Sequence, residues 1–464
     1  LDRLASEGLR FSQFYNCALC GPSRAALMTG IHPHQAGITG WTGLLSQRCA
    51  TLFELLKRAG YATCAVGRLD MITAAKWHDP VNLARVADRF LGSTGHTGPG
   101  NYFKDVRNSA FYRDGEPFSL PDGAYKTDLI SGFAESFIKQ RDPAKPFLLY
   151  MAHYAPHWPL HAKPEDIAKY RALYRELGWD TAREQRLQRL IEKGIVAPNT
   201  KLSPRDARAA AWSEATDLDW EAERMATFAA QVDCLDQSVG RVMDALRSAG
   251  ADKNTLIFFL SDNGASDSAV ASVDKPNQVW RADGTLTKVG NKPGIQPGPA
   301  DNFVTAGPAW ANVSNTPFRQ HKNTNHEGGI ASPLIAWWPG VISKPGSISR
   351  ELSHITDVTA TCLDVAGVPY PATFEQRTVT PAAGKSLLPV MKGGPREGHQ
   401  SLCWSTSGSK AVRQGDWKLV SLPNKPWELY NLSADPTELR DLSAQNPDRV
   451  KSMEEIFEAW KKTP

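Results

Sequence analysis

Helical and extended apolar runs alternate along this chain, and that alternation constrains its fold more than any other feature. Met225, Phe228, Val232, Leu235, Val239, Val242, Met243 and Leu246 recur at the helical period and predict a long helix from Met225 to Ala249, ended by Gly250. The run Leu256–Leu260 just beyond it predicts a buried strand. The same order recurs twice. A helix around Leu129 to Ile138 precedes Phe147–Met151, and a helix opened by the capping box Thr51-Leu52-Phe53-Glu54 precedes Ala62–Val66. Another strand, Pro333–Trp338, and a helix near Ile355 to Val365 follow later. Strands that are apolar throughout and alternate with helices imply an α/β fold, a large mainly parallel sheet sandwiched by helices. Such sheets take ligands at the carboxyl ends of their strands.

A chain of 464 residues exceeds one ordinary core, so two domains are expected. Beyond Gly393-Gly394-Pro395 the texture changes to short alternating segments, Ala411–Arg413, Trp417–Ser421 and Trp427–Tyr430, then a helix from Pro447 to Trp460. The expected division is therefore 1–394 and 395–464, the second part a small antiparallel sheet with one helix. Pro164 to Trp220 reads as a charged, helix-prone insertion, and Ser266 to Asn315 as an aperiodic surface excursion that frames the site. Leu1 to Phe11 reads as an amphipathic helix ended at Gly8. Its first residues are not a signal peptide, and no run approaches the roughly 18 apolar residues of a membrane span. A net charge of +4, without a basic block, gives no argument for a nucleic-acid partner and leaves small anions as ligands. Seven cysteines do not make a disulfide framework in a chain this long.

The chemistry concentrates in Cys20-Gly21-Pro22-Ser23-Arg24-Ala25-Ala26-Leu27-Met28-Thr29-Gly30. Pro22 suits a first helical turn and Gly30 a helix end, which puts the Cys20 thiol at a helix N-terminus, where backbone N–H groups and the helix dipole hold anions. Arg24 adds a positive charge one turn in. Spacing alone leaves two further readings of Cys20 open, a buried core cysteine and a redox pair with Cys17. A zinc site would need a second Cys or His pair, which Cys49, Cys64, Cys234, Cys362 and Cys403 do not supply.

The C-x-P-S-R-A-A-L-M-T-G run resembles the signature of the type I, formylglycine-dependent sulfatases, and the chain is similar to bacterial arylsulfatases of the alkaline phosphatase-like superfamily. The resemblance implies a maturation enzyme that oxidises Cys20 to formylglycine, a Ca²⁺ or Mg²⁺ ion, and a sulfate ester as substrate. Gly60-Tyr61-Ala62-Thr63 with Gly67 resembles a second signature, although five residues, Met71 to Ala75, separate Gly67-Arg68-Leu69-Asp70 from Lys76-Trp77-His78. Lys76 is then the cation that stabilises sulfate, with Arg68 as its alternative, and His78 acts on the formylglycine hydroxyl. His157, in Ala155-Pro156-His157-Trp158-Pro159-Leu160, corresponds to the histidine at the leaving oxygen. In Ser261-Asp262-Asn263-Gly264, Asp262 and Asn263 are implied metal ligands together with residue 20. Lys322, ahead of Glu327-Gly328-Gly329-Ile330, is the implied sulfate-binding lysine, with His321 as a second contact.

The resemblance also implies an Asp-Asp pair at the end of a strand upstream of Leu1-Asp2-Arg3-Leu4-Ala5. Without that strand, half the metal ligands are absent, and unpaired backbone and an apolar gap in the sheet are expected. Two rival functions follow from the same residues: hydrolysis of phosphate or phosphonate monoesters, and a catalytically impaired protein that binds sulfated ligands. Trp41, Trp158 and Trp310 are candidates both for stacking on a substrate ring and for packing.

Overall fold

A computed structural model describes residues 1–41, 43–70, 87–93, 101–105, 111–270, 281 and 283–463. The expected Lys76 and His78 lie outside these residues. Six longer strands position the site: β1 Leu9–Tyr15, β2 Ala62–Arg68, β3 Arg89–Ser93, β4 Phe147–Ala152, β5 Ile257–Leu260 and β6 Ala331–Trp337. They form two sheets. In one, β1 lies beside β6 and β6 beside β5, both pairs antiparallel, and Ile348–Ser349 and Ser353–His354 add to β1 in parallel. In the other, β2 pairs in parallel with β3 and β4, and the short strands Tyr112–Arg113 and Glu116–Pro117 extend the β3 edge. The parallel arrangement expected from the helix–strand alternation is thus kept by β2, β3 and β4, while β6 runs against both its neighbours.

Helices cover both faces, because successive residues of the central strands point to opposite sides. Ala65 and Phe90 pack with Leu27 and Met28 of α1 (Cys20–Thr29), with Phe53, and with Val358 of α4 (Thr356–Ala366). Cys64, Val66 and Leu91 pack on the other side against Ile130, Phe133 and Phe137 of α2 (Lys126–Gln140) and Val242, Met243 and Leu246 of α3 (Leu218–Ser248). The helix expected from Met225 is α3, which starts earlier because the polar Leu218–Arg224 turn folds with it.

Two expectations are corrected here. The opening helix spans only Asp2–Glu7, and the residues after Gly8 form β1. A β-bulge between Phe11 and Phe14 breaks the period-2 apolar pattern that would have announced that strand. The end of the aperiodic Ser266–Asn315 stretch is not surface: Gly307–Ser314 is a helix whose Trp310 is wholly buried against Trp179 and Trp212. Trp310 is therefore a packing residue.

The expected gap lies between β4 and β5. Among the described residues no pairing joins these strands, so the two sheets face each other through unpaired edges. β2 is buried from Thr63 to Arg68, whereas β4 is half-buried from Phe147 to Met151 and β5 along its whole length. Both line a cleft of about 2280 Å³.

Beyond the main sheets, β7 (Leu402–Thr406), β8 (Ser409–Gln414), β9 (Trp417–Ser421) and β10 (Glu428–Asn431) form an antiparallel meander. Cys403, Val412, Leu419 and Leu429 on one face pack against Met453 and Phe457 of α5 (Pro447–Lys461). Trp404, Ala411, Val420 and Tyr430 on the other face pack against Tyr15, Ala18 and Ile330.

The open edges give a test. Amides on the cleft-facing edges of β4 and β5 should exchange with solvent at least about tenfold faster than those of β2, because they lack a strand partner and sit beside a cleft. Residue-resolved hydrogen exchange measures this, and equal protection of all three strands would show that the edges are closed in solution.

Candidate active site

Cys20 opens α1 from the extended residue Leu19, and Gly30 closes the helix in the left-handed region at φ 69°. The thiol is nearly inaccessible at 4% exposure, yet it lines the cleft at the carboxyl ends of the strands. Its position sets its charge state. Burial raises the thiol pKa, the nearby Asp70 carboxylate raises it further, and the Lys322 and Arg68 cations oppose both. Cys20 is accordingly a neutral thiol, despite lying at a helix N-terminus. Cys17 does not pair with it: all seven cysteines are free, and Cys17 Sγ lies 3.6 Å from His354 Nε2.

The neighbours of Cys20 in the motif have structural reasons to be Ser and Arg. Ser23 Oγ accepts a bond from the Cys17 N–H at 2.9 Å and donates to the Asp262 carbonyl at 2.5 Å, which ties the entry of α1 to the end of β5. The Arg24 guanidinium spans the split between the sheets. Its Nε donates to Asp262 Oδ2 at 2.8 Å, beyond β5, and its Nη1 donates to the carbonyl of Arg68, the last residue of β2. Burial by itself would lower the Arg24 pKa, but Asp262, Tyr150 and Asp70 outweigh it and raise the value well above normal.

β2 delivers a second cation. Arg68 Nε lies 2.8 Å from Asp70 Oδ1, and both side chains are buried. Asp70 holds a left-handed backbone at φ 55°, a conformation an L-residue rarely adopts outside a constrained site. The space above Gly21 is filled by the same loop, since a Cβ there would lie 3.2 Å from the Asp70 carbonyl oxygen. Arg68, kept as the alternative to Lys76, is thus placed in the pocket. Asp70 was missed. Reading Gly67-Arg68-Leu69-Asp70 in place, without moving on to Lys76-Trp77-His78, would have singled it out.

His157 follows the end of β4. Its Nδ1 lies 2.7 Å from the Trp158 carbonyl, which can only accept, so the ring proton sits on Nδ1. Among the described residues, the buried Nε2 has no hydrogen-bond partner. Burial first, then the Arg68 and Lys322 charges, hold the ring pKa well below its ordinary value, so the free protein carries a neutral imidazole with a bare Nε2. The backbone of this turn is anchored by Tyr102 Oη at 2.9 Å and by Gln231 Nε2 at 3.4 Å, both donating to the His157 carbonyl. Of the neighbouring histidines, His161 is buried and committed to the Asn302 carbonyl at 2.6 Å.

Lys322 is buried along its stem and its Nζ lies 5.5 Å from the centre of the exposed Trp41 ring, at the mouth of the site. The segment carrying it crosses the end of β5 closely: Lys322 N donates to the Ala265 carbonyl at 3.0 Å, and Gly264 N to the Gly329 carbonyl at 3.0 Å. A Cβ at Gly264 would fall 1.8 Å from the Gly328 carbonyl oxygen, so glycine is required there. The structure does not bring His321 into the cleft. Its Nε2 is taken by Asp206 at 2.9 Å and its Nδ1 faces the Asn315 amide at 3.3 Å. Trp158 lines the cleft beside His157 and packs on Phe303.

The oxygen donors for a divalent cation are few. Among the described residues Asn263 Oδ1 is buried without a partner beside the cleft, which suits a cation, but Asp262 has one oxygen on Arg24. Among the described residues no three His, Cys, Asp or Glu side chains converge on a common point. Ca²⁺ takes about 6–8 oxygen ligands, and Asp262, Asn263 and residue 20 do not make up that set.

The strand ends, the covering helices and the C-terminal meander define a mixed α/β architecture of the alkaline phosphatase-like fold. The chain superposes on the crystal structure of Ps i-CgsB in complex with k-i-k-neocarrahexaose with a TM-score of 0.69 at 23% identity, covering 99% of this chain and 86% of that one, a likeness of fold. A family model described as Sulfatase matches residues 1–368, and one described as N-sulphoglucosamine sulphohydrolase, C-terminal, matches residues 320–462. The chain belongs to the sulfatase family. It is 32% identical to an arylsulfatase of Klebsiella aerogenes over 84% of this chain and 86% of the relative. It is also 32% identical to an uncharacterized sulfatase of Schizosaccharomyces pombe over 92% of this chain and 81% of the relative.

Three outcomes follow from this geometry. Arg24→Met should cost about 3 kcal/mol in denaturant unfolding, the low end for breaking a buried pair, because it strands Asp262 and releases the Arg68 carbonyl. In the unmodified chain, Asp70→Asn should lower the Cys20 thiol pKa, since a negative neighbour opposes the thiolate. Alkylation of Cys20, followed by mass across pH, should then become faster near neutrality. Calcium titrated into this chain should bind more weakly than about 10⁻³ M, given so few carboxylate ligands; tight stoichiometric uptake would mean that other residues supply the donors.

Proposed function

We propose that this sulfatase hydrolyses sulfate monoesters of aromatic or sugar alcohols with residue 20 as the nucleophile, after a maturation enzyme has oxidised Cys20 to formylglycine. The observation that carries the reading is convergence: residue 20 and Arg24 on α1, Arg68, His157 and Lys322 come from four separate segments and line one cleft, and the Arg68 and Lys322 charges bear on both residue 20 and His157. The relatives named arylsulfatase and sulfatase support the substrate class. Hydrated formylglycine at position 20 would supply the hydroxyl oxygen that attacks sulfur.

The remaining work falls to the chain's own groups. The N-terminus of α1 and Lys322 stabilise the sulfate oxygens where negative charge develops. Arg24 holds the nucleophile's helix against Asp262 and the end of β2. The bare Nε2 of His157 takes up the proton that the attacking residue-20 hydroxyl releases, once the negative charge of the transition state offsets the Arg68 and Lys322 charges, and the Nε2–H gives it to the leaving alcohol oxygen as the bond from sulfur to that oxygen breaks. Trp41 and Trp158 border the opening where the alcohol would lie. Asp262 and Asn263 would hold one side of a divalent ion only if further ligands complete it.

Mass analysis of the peptide containing residue 20 tests the nucleophile. Turnover of an aryl sulfate should track the fraction of that peptide carrying the lighter formylglycine, and Cys20→Ala should abolish it. His157→Ala should lose about 10² to 10⁴ in rate on esters of poor leaving groups and much less on activated aryl sulfates. Equal losses on both would remove His157 from the leaving oxygen, and faster turnover of the matching aryl phosphate would transfer the reading to phosphate esters.

A further inference from the structure

The β7–β8 hairpin reaches out of the C-terminal meander and touches both sides of the anion pocket. On one side, Trp404 Nε1 donates to the Asn16 carbonyl at 2.7 Å, and Thr406 Oγ1 donates to the Cys17 carbonyl at 3.1 Å, within the loop that leads into residue 20. On the other, Ser407 Oγ donates to Asn323 Oδ1 at 2.6 Å, and Asn325 N donates to Ser409 Oγ at 3.1 Å, in the segment that follows Lys322. The two loops also meet directly, where Asn323 N donates to the Ala18 carbonyl at 2.8 Å and Asn16 N donates to the Ile330 carbonyl at 2.9 Å.

Behind the hairpin lies a buried charge cluster. Lys418 Nζ, on β9, pairs with Glu327 Oε1 at 2.6 Å and Glu438 Oε1 at 2.8 Å, with Lys418 and Glu438 wholly inaccessible. Tyr15 Oη donates to Glu327 Oε2 at 2.8 Å, and Glu327 N donates to Glu438 Oε2 at 2.9 Å. Arg319 Nη2 pairs with Glu428 Oε2, on β10, at 2.5 Å. Segment 319–330 is therefore gripped on both flanks of Lys322 by groups of the meander. Buried ion clusters of this kind are seldom more stabilising than well-packed apolar residues of the same volume, because desolvation offsets the attraction. What they add here is register, since a shift of the segment would leave Lys418 or Glu327 buried without its partner.

We propose that the β7–β8 hairpin, backed by Lys418, is a bracket that sets the separation of residue 20 and Lys322, which makes Thr406, Ser407 and Lys418 positioning residues of the active site. The roles of the two groups held in this way rest on the sulfatase reading above. A misplacement of either loop leaves Lys322 able to bind an anion, but no longer aligned with the nucleophile. The loss then falls on the chemical step.

Thr406→Val removes only the hydroxyl bonded to Cys17, and Ser407→Ala only the one bonded to Asn323, so both should fold where Lys418→Met would not. In the full matured chain each should reduce kcat on an aryl sulfate by about 10- to 100-fold, the scale of a small misplacement of reacting groups. KM should stay within about twofold, as expected when ground-state binding is retained. Thr406→Ser should restore kcat. Wild-type kcat in both variants, or a kcat that falls together with the thermal midpoint and is not restored by Thr406→Ser, would overturn the bracket. If the wild-type chain fails to turn over sulfate esters, the sulfatase reading falls and hydrogen exchange judges the bracket by itself. Faster exchange at 16–20 and 323–327 in Thr406→Val and Ser407→Ala supports it, and unchanged exchange overturns it.

Discussion

Arg24 is the interaction on which the site depends. β4 and β5 share no ladder, so the sheet bearing Asp262 and the sheet bearing Arg68 are not held together by backbone hydrogen bonds along their facing edges. One guanidinium, rooted in the first turns of α1, reaches the carboxylate beyond β5 and the last carbonyl of β2. The planar fork of arginine suits two acceptors in different directions, which the single point charge of a lysine would not. Because Arg24 lies four residues after Cys20, one helical turn, the clamp that joins the sheets also fixes the nucleophile position between them.

The pocket around residue 20 is built for a negative guest. Two cations, Arg68 and Lys322, bear on both Cys20 and His157, and burial first, then these charges, keep the imidazole neutral in the absence of substrate. Asp70 limits the excess: paired with Arg68, it opposes ionisation of the thiol. A neutral Cys20 is chemically quiet as a thiol. The C-terminal meander, remote in sequence, contributes no group to the cleft but holds both rims of it through hydroxyls and buried charges.

Much of this was legible in the residues. The 3.6-residue period of α3, the apolar runs of β2, β4, β5 and β6, and the alternating segments of the meander all announced themselves, because each buries a continuous apolar face. β1 did not, since its bulge interrupts the alternation, and neither did the Trp310 helix, whose Gly- and Pro-rich surroundings read as loop. The site residues that sit in compact motifs, Cys20, Arg24, Asp262, Asn263, His157 and Lys322, could be named from the sequence with their neighbours. His321 was named on proximity to Lys322, yet its ring is taken by Asp206 and Asn315, partners that only the fold brings to it.

By itself, then, the amino-acid order determined which segments become helices and strands, which motif opens on the anion-binding end of a helix, and which family the chain joins. The first two are properties of local periodicity and short spacing, which survive without knowledge of neighbours, and the family follows from the likeness of whole motifs to known proteins. Tertiary structure decided the rest: that Arg68 and Asp70 face residue 20, that His157 carries its proton on Nδ1, that β4 and β5 stand apart, and that Thr406 and Ser407 brace the pocket from nearly four hundred residues beyond Cys20. Each of those depends on which groups meet across the fold, and the strength of a buried charge or hydroxyl is set by that meeting, through desolvation and the partner it finds.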